Sequence, residues 1–142
     1  MKIEEQKIFS SELGDALRGL CGQLYVCMPQ MDDASMRALV ESENSHLLIL
    51  YADDGRPAGT TTVGVYRTPG GVRAWIEDVV VDGAFRGCGY GRALVEEAIA
   101  LARRCGAATV ALTSNPKREA ANALYKSLGF TLYETNYYKM EL

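Results

Sequence analysis

Three glycines at alternate positions, Gly87, Gly89 and Gly91, mark the part of this sequence best suited to hold a ligand. They follow the apolar run at 79–81 and precede an amphipathic segment, an order that predicts a strand, a loop and a helix. Glycine has no Cβ and adopts positive φ readily, so backbone N–H groups of such a loop can approach a ligand closely. The positive end of the helix dipole adds a preference for anions. The stretch therefore predicts a cradle for a phosphate or pyrophosphate.

The spacing of these glycines argues against two nucleotide-binding motifs. A P-loop ends in Gly-Lys-Ser/Thr to reach the terminal phosphates and magnesium, whereas Arg92 and Ala93 follow Gly91 here. The dinucleotide fingerprint has its third glycine three positions after the second, and Arg92 occupies that position. The motif that remains is Arg-x-x-Gly-x-Gly, from Arg86 to Gly91.

This motif resembles the acyl-CoA pyrophosphate loop of the GNAT N-acetyltransferase superfamily, and the resemblance extends over most of the chain. The run Ile-Glu-Asp-Val-Val-Val at 76–81 resembles the fourth strand of that family. The stretch from Ala120 to Phe130 resembles its closing signature of tyrosine followed by Leu-Gly-Phe. The fourth-strand run is similar in particular to that of the glucosamine 6-phosphate N-acetyltransferases. The segment from Thr113 to Tyr125 does not match those enzymes well, so their substrate is not transferred to this chain.

The resemblance implies acetyl-CoA as co-substrate, with its pyrophosphate on the loop and its pantetheine arm in a gap between two splayed parallel strands. The family usually has an asparagine seven positions before Tyr125, where this chain has Arg118, and Asn115 lies ten positions before it. We therefore expect Arg118 to bind CoA or an anionic substrate. Asn115 is expected either to bind CoA or only to cap a helix. The residues expected to contact the co-substrate are Val79, Val80, Val81, Arg86, Gly87, Cys88, Gly89, Tyr90, Gly91, Arg92, Asn115 and Arg118.

The two carboxylates before the valine run are candidates for catalysis. Acetyl transfer requires a neutral amine to attack a thioester, and a donor for the departing thiolate. Alternation along a strand places Glu77 on the same face as Val79 and Val81, and Asp78 on the other face, unless a bulge intervenes. We therefore expect Glu77 to act as general base, directly or through water, and Asp78 to bind the substrate. The alternative is that one or both are exposed strand carboxylates.

Tyr125 is the hydroxyl donor that the resemblance assigns to the departing thiolate. The alternative is a packing role, because Tyr125 shares an apolar helical stripe with Ala121, Leu124 and Leu128. The Leu-Gly-Phe sequence that follows favours catalysis.

The resemblance predicts an N-acetyltransferase that acts on a primary amine of a small molecule. Amino sugars, polyamines, amino acids and aminoalkyl compounds all remain open as acceptors. Two alternatives also remain: an enzyme that acetylates a protein amine, and a non-catalytic acyl-CoA-binding sensor, which would not need Glu77 and Tyr125. A homodimer is left open, because small proteins of this family often dimerise.

Composition argues against several other partners. With 15 Lys+Arg and 18 Asp+Glu the net charge is −3, so we expect neither nucleic acid nor a membrane surface as a partner. No apolar segment approaches the length of a membrane span or a signal core, and we expect a cytoplasmic protein. Four cysteines without a Cys-x-x-Cys pair, and one histidine, predict no metal site. That histidine, His46, is expected at a strand end rather than as a base.

The order of elements predicts an α/β fold of the GNAT type. Its central sheet is mixed and mostly antiparallel, with one parallel, splayed strand pair and about four flanking helices. We expect a single domain over residues 1–142. The predicted strands are residues 2–9, 46–52, 57–67, 72–82, 109–113 and 131–140. The predicted helices run from Ser10 or Ser11 to about Tyr25, from Asp32 or Asp33 after a loop at 28–31, from near Gly91 to Gly106, and from Pro116 after an Asn115 cap.

Overall fold

The computed structural model describes residues 1–25 and 31–142, which form a five-stranded mixed sheet with helices on both faces. Neighbouring strands follow the sequence order; the first four are antiparallel, and the last pair is parallel. The predicted α/β fold is confirmed, whereas most of the predicted loop at 28–31 lies outside the described residues. The strands are β1 (Lys2–Gln6), β2 (Ser45–Tyr51), β3 (Pro57–Thr68), β4 (Gly71–Val81) and β5 (Thr109–Ala111). The helices are α1 (Ser11–Cys21), α2 (Asp33–Glu41), α3 (Tyr90–Arg104) and α4 (Glu119–Ser127), with a 3₁₀ turn at Gly83–Phe85.

Strand β2 is buried on both faces because its apolar run divides between two layers. Leu47 and Ile49 pack in one cluster with apolar residues of α1 and α2. Leu48 and Leu50 belong to clusters on the other face, which α3 covers. A continuous apolar strand of this kind is typical of a central position with helices on both sides.

Helix α3 supplies much of the core on the second face and lies close to the sheet. Gly59 of β3 permits this approach. A Cβ at this position would lie 2.8 Å from Cδ1 of Leu94 and 2.8 Å from the carbonyl oxygen of Val80. The buried residues of α3 are Leu94, Val95, Ala98, Leu101 and Ala102.

The predicted starts of two helices and the predicted end of a third are confirmed by their caps. The Ser10 hydroxyl accepts a hydrogen bond from the Leu13 N–H at 3.1 Å, and α1 begins at the next residue. The Asp32 carboxylate does the same for the Ser35 N–H at 2.7 Å before α2. Helix α3 is followed by Gly106, whose φ of 79° only glycine adopts without strain.

Three elements are shorter than the sequence predicts. Strand β1 ends at Gln6 instead of residue 9, and the pair of Gln6 with Leu47 is the last of its ladder with β2. Helix α1 ends at Cys21, where Gly22 interrupts the helical pattern, instead of near Tyr25. Strand β5 ends at Ala111, two residues early.

The prediction that Asn115 caps the fourth helix is wrong. Its Oδ1 accepts a hydrogen bond from the Lys117 N–H at 2.9 Å, which closes a turn around Pro116. Helix α4 begins only at Glu119, and Arg118 stands at its N-cap without a side-chain capping bond. The asparagine therefore shapes the connection from β5 to α4 and leaves the first turn of the helix uncapped by a side chain.

The prediction of a last strand at 131–140 is also wrong for this structure. Residues 131–142 contain no assigned strand, and every one of them is exposed. Strand propensity produces a strand only where a neighbouring strand accepts its hydrogen bonds. Within the described chain, this segment has no such neighbour.

Candidate active site

A gap opens between the two parallel strands. Residues 73–75 of β4 pair with Thr109–Ala111 of β5, and β5 then ends while β4 continues to Val81. Beyond Trp75, therefore, β4 has no strand neighbour on that side within the described residues. The backbone of this stretch offers N–H and C=O groups to a ligand that lies along it.

The valines of this stretch place their side chains in the core. Val79 packs against the cluster that contains Val95 and Ala98 of α3, and Val81 packs against the cluster of Leu94. Val80 is buried as well, at 5% exposure. Core packing by the side chains leaves the backbone free for a second role along the gap.

The loop that contains Gly87 and Gly89, which we call the glycine loop, connects the end of β4 to the start of α3. Gly87 and Gly89 have φ of 79° and 80°, and a Cβ at either position would meet open space. Gly89 is the N-cap of α3 and has no side chain to occupy the first N–H groups of the helix. The rings of Phe85 and Tyr90 stack at 5.8 Å between centroids and hold the two ends of the loop together. The loop thus has the open, amide-lined form that suits an anion.

Side chains of the loop are engaged elsewhere. Arg92 donates hydrogen bonds to the Ser127 hydroxyl at 2.7 Å and to Glu96 at 3.4 Å, and so connects α3 to the end of α4. The exposed Cys88 thiol lies 3.8 Å from the carbonyl oxygen of Arg86. The loop therefore offers a ligand its backbone N–H groups more than these side chains.

Ser114 supplies a polar group that sequence analysis missed. It lies three residues beyond the end of β5, and its hydroxyl oxygen is buried without a hydrogen-bond partner in the described part of the chain. An unpaired buried hydroxyl costs about 1–3 kcal/mol, which a ligand that hydrogen-bonds to it would recover. Together with the open glycine loop, this orphaned group fits a polar ligand in the gap.

A bulge in β4 overturns the predicted placement of the two carboxylates. Thr62 pairs with Glu77 and Thr60 pairs with Val80, so two residues of β4 lie opposite the single residue Thr61. Asp78, one of the two, has a φ of 53°, in the left-handed region. Alternation is therefore interrupted after Glu77. Glu77 does not share a face with Val79 and Val81, which pack on the α3 side.

Instead, the bulge brings Glu77 and Asp78 together near the end of α1. The Tyr25 hydroxyl donates a hydrogen bond to the Asp78 carboxylate. Burial and then this bond raise the pKa of Tyr25, and the charge of Glu77 also contributes. We call Tyr25, Trp75, Glu77 and Asp78 the carboxylate corner.

The corner alters the acidity of Glu77. Partial burial and then the neighbouring charge of Asp78 raise the pKa of Glu77, while a hydrogen bond with the Trp75 indole opposes the shift. Cys21 of α1 lies close by, and its pKa is raised to about 11 by burial and by Asp78. A carboxylate with a raised pKa is better suited to accept a proton near neutral pH.

Sequence analysis missed Tyr25 and Trp75. Trp75 stands two residues before Glu77 on the same strand, so period-two alternation could have found it. Nothing in the pattern around Tyr25 indicates a contact with β4, which arises only when α1 packs on the sheet.

Tyr125 is held by the C-terminal cap of α4. The Phe130 N–H donates to the Tyr125 carbonyl and the Gly129 N–H donates to the Lys126 carbonyl, both at 3.1 Å, and Gly129 has a φ of 95°. These are the two bonds of a Schellman motif, and the Tyr125 and Phe130 rings, 6.0 Å apart, form its apolar contact. The Tyr-x-x-x-Gly-Phe pattern therefore caps α4, whether or not the Tyr125 hydroxyl takes part in catalysis.

The position of Tyr125 is also compatible with a role in the gap. The residue is 6% exposed and belongs to a cluster that includes Val79 of β4 and Leu112, just past β5. Burial raises the pKa of its phenol, and the nearby charge of Arg118 lowers it. Arg118 thus lies close enough for its charge to affect the phenol. Asn115 instead accepts the hydrogen bond that closes the turn before α4.

Other titratable groups lie apart from the gap. His46 is within 2.7 Å of Glu5 and 3.8 Å from the Cys105 thiol, at the C-terminal end of α3. Among residues 1–25 and 31–142, no group of three or more metal-ligating side chains could hold a metal ion. None of the helices described is long and apolar enough to cross a membrane.

Comparison with known proteins relates this geometry to a family. Residues 17–130 match the model of the acetyltransferase (GNAT) family. A curated relative is the chloroplastic GCN5-related N-acetyltransferase 1 of Arabidopsis thaliana, which is 32% identical over 108 residues. That alignment covers 74% of this chain and 50% of the relative, so the chain spans about half the length of that protein.

Two solved structures show the same fold over nearly the whole chain. A putative acetyltransferase from Agrobacterium tumefaciens has a TM-score of 0.85 at 24% identity and covers 99% of this chain and 100% of its own. The glucosamine-6-phosphate N-acetyltransferase of Arabidopsis thaliana has a TM-score of 0.78 at 22% identity and covers 99% of both chains. At these identities the likeness concerns the fold.

Proposed function

Because the chain belongs to the GNAT acetyltransferase family, whose members use acetyl-CoA as co-substrate, we propose that it transfers the acetyl group to a primary amine of a small molecule. The observation that carries this proposal is the gap between β4 and β5, with the open glycine loop at one end and the carboxylate corner beside it. Acetyl-CoA supplies the activated thioester. The chain supplies binding, orientation and proton transfer.

The co-substrate is proposed to bind through backbone groups. Its pyrophosphate would lie on the N–H groups from Arg86 to Arg92, and its pantetheine arm along the β4 backbone at 79–81. The absence of a Cβ at Gly87 and Gly89, and the open space there, support this placement. The unpaired Ser114 hydroxyl provides a further polar contact for the arm or the acyl group.

Glu77 is proposed as the general base. An amine must lose a proton before or during its attack on the thioester, and a carboxylate whose pKa is raised accepts that proton more readily. Burial and the Asp78 charge raise the pKa of Glu77, which supports the assignment. Asp78, held by Tyr25, is proposed to bind the incoming ammonium group.

Tyr125 is proposed to donate a proton to the departing thiolate. Its raised pKa keeps the phenol protonated at neutral pH, as a donor must be. The charge of Arg118 nearby opposes part of that shift and would favour the phenolate that forms after donation. The Schellman motif fixes the backbone of Tyr125, which supports a positioned rather than a mobile hydroxyl.

A small amine as acceptor is supported by the charge of the corner. Two adjacent carboxylates attract a cationic amine, and Glu77 remains exposed to solvent. The test is a panel of amino sugars, polyamines, amino acids, aminoalkyl compounds and a lysine peptide, each incubated with acetyl-CoA. Release of free thiol is followed with a thiol-reactive dye.

We expect saturable turnover with at least one small amine. Turnover with the lysine peptide alone would replace the proposal with acetylation of a protein amine. Binding of acetyl-CoA without turnover on any amine would indicate an acyl-CoA sensor.

A further inference from the structure

Three side chains that the proposed acetyl transfer does not use form a continuous chain of contacts away from the gap. Nε2 of His46 lies 3.8 Å from the Cys105 thiol, and Nδ1 of the same ring lies 2.7 Å from the Glu5 carboxylate. We call Glu5, His46 and Cys105 the thiol triad. A nucleophile, a base and a group that orients the base occur in this order where proteins activate a cysteine.

The sheet and α3 bring the thiol triad together. Glu5 of β1 pairs with Leu48 of β2, and His46 lies two residues before Leu48, so Glu5 and His46 are diagonal neighbours on one face. Leu48 belongs to the core cluster on the α3 side, and Cys105, the residue after α3, packs against the same cluster. The histidine therefore lies between a carboxylate of β1 and the thiol at the end of the helix.

Glu5 determines which nitrogen of the His46 ring carries the proton. Burial raises the pKa of Glu5, but hydrogen bonds with Lys7 and then with His46 outweigh this effect and leave the pKa below its ordinary value. Glu5 is therefore ionised at neutral pH, and a carboxylate only accepts hydrogen bonds. Nδ1 of His46 donates to it, so Nε2 of the neutral ring is left as an acceptor for the Cys105 thiol.

Cys105 also has the surroundings of a reactive thiol. It is partly exposed, and the charge of Arg104 interacts with both Cys105 and Glu5. Reactive cysteines are partly accessible and lie beside histidine or cationic side chains, whereas a cysteine buried among apolar groups is inert. The sequence contains one histidine, so no other thiol of the chain can have an imidazole of its own.

The backbone around Cys105 favours one class of electrophile. Its N–H groups are already bonded to carbonyl oxygens of the last turn of α3, at 2.9–3.0 Å; they belong to Cys105, Gly106 and Ala107. These amides are therefore not available to stabilise the oxyanion that forms when a thiol attacks a thioester. Attack on a disulfide sulfur produces no oxyanion and requires only a nucleophilic sulfur and a leaving thiolate.

We propose that Cys105 is a site of reversible modification by small disulfides, with His46 as its base and Glu5 as the residue that orients the imidazole. The thiol proton passes to Nε2 of His46 while the Cys105 sulfur forms a bond to one disulfide sulfur. The S–S bond of the reagent breaks, and its other sulfur leaves as a thiolate that takes the proton from the imidazolium. Cys105 is thereby oxidised to a mixed disulfide, and the reagent is reduced to one thiol. The inference does not depend on acetyl-CoA or on which amine is acetylated.

The test measures how fast each cysteine of the native protein reacts with 2-hydroxyethyl disulfide at pH 7. This reagent is uncharged, and peptide mass spectrometry assigns the adduct to each cysteine separately. We expect a mixed disulfide on Cys105 that dithiothreitol removes. The buried Cys21 should remain unmodified, and it reports whether each protein stays folded during the reaction. Absence of an adduct on Cys105 would overturn the proposal.

His46→Gln removes the base and should slow the reaction of Cys105 about tenfold, because an ordinary thiol is only a few per cent thiolate at neutral pH. The exposed Cys88, whose thiol lies near the Arg86 carbonyl, should react at an unchanged rate in the same sample. An equal or faster reaction of Cys105 in His46→Gln, with Cys21 still protected, would show that His46 does not activate the thiol.

Glu5→Gln separates the role of the carboxylate from that of the ring. It keeps His46 but removes the partner that fixes its tautomer, so the reaction of Cys105 should slow about threefold. Glu4→Gln is the matched control, because Glu4 pairs with Ile49, whose side chain packs on the other face of the sheet. Equal rates in Glu5→Gln and Glu4→Gln would contradict the assignment of Glu5.

Discussion

The glycine loop follows β4 and the carboxylate corner includes residues of the same strand, yet the two regions are built in different ways. The loop consists of consecutive residues and exposes backbone N–H groups, while its side chains, such as Arg92, are engaged elsewhere. The corner consists of side chains from β4 and of Tyr25, which follows the end of α1, and these meet only because β4 has a bulge and α1 packs beside it. A site made of backbone tolerates most side-chain changes, whereas a site made of side chains depends on each of them.

The largest effect is expected at the corner, from Glu77→Gln. Loss of a general base lowers turnover by about 10²–10⁴-fold. The variant should recover rate as rising pH deprotonates the amine in solution, and its affinity for CoA should be unchanged. Steady-state kinetics across pH checks this. A loss in the KM of the amine alone would instead give Glu77 a role in binding the cation.

Asp78→Asn is the matched variant for Glu77, and it has its own signature. Asp78 raises the pKa of Glu77, so its removal lowers that pKa and moves the acidic limb of kcat/KM to lower pH. The base is active above its pKa, so the variant gains relative activity on the acidic side. If Glu77→Gln has no effect and Asp78→Asn abolishes activity, the two assignments are reversed.

Tyr125→Phe is expected to lower turnover by roughly 10²-fold, as for a lost general acid. Only the hydroxyl is removed, so the contact with Phe130 and the melting temperature should change little. Phe130→Leu is the opposite change, since it weakens the ring contact and keeps the hydroxyl. Unchanged turnover in Tyr125→Phe, with chemistry limiting the rate, would assign Tyr125 to packing alone.

Gly89→Val tests the loop, with an expected loss of CoA affinity of about tenfold or more. A side chain at a φ of 80° also strains the backbone, by about 1–2 kcal/mol. Gly106→Val, at a φ of 79° at the other end of α3, imposes a similar strain away from the loop. Calorimetric titration with CoA should find a loss of affinity in Gly89→Val and not in Gly106→Val. Equal CoA affinities in the two variants would show that the loop is not part of the binding site.

The smallest effect is expected from Tyr25→Phe, which removes one hydrogen bond to Asp78. A bond of this kind contributes about 1 kcal/mol, so the KM of the amine should rise about fivefold with CoA affinity unchanged. Tyr66→Phe changes an exposed tyrosine of β3 and should alter neither quantity. A change in CoA affinity instead would show that the corner and the loop do not bind their ligands independently.

The difference between the two regions also explains what the sequence could predict. The loop, the start of α3 and the end at Gly106 depend on glycines and local periodicity, and they lie where predicted. The bulge at Asp78 occurs without glycine, so the alternation that placed Glu77 beside Val79 failed. The contact of Tyr25 with Asp78 joins residues far apart in the chain and depends on packing. Residues 131–142 have the composition of a strand but pair with no strand in the described part of the chain.

The most direct test of the central proposal is a hydrogen-exchange footprint of acetyl-CoA on the native protein and on Glu77→Gln. We predict slower exchange at the amides of residues 79–81 and 87–92 in both proteins, and no change around Cys105 at the far end of α3. An identical footprint in a variant without turnover would separate backbone binding from side-chain catalysis. Protection that is absent from these two stretches, or that is lost with Glu77, would contradict the account.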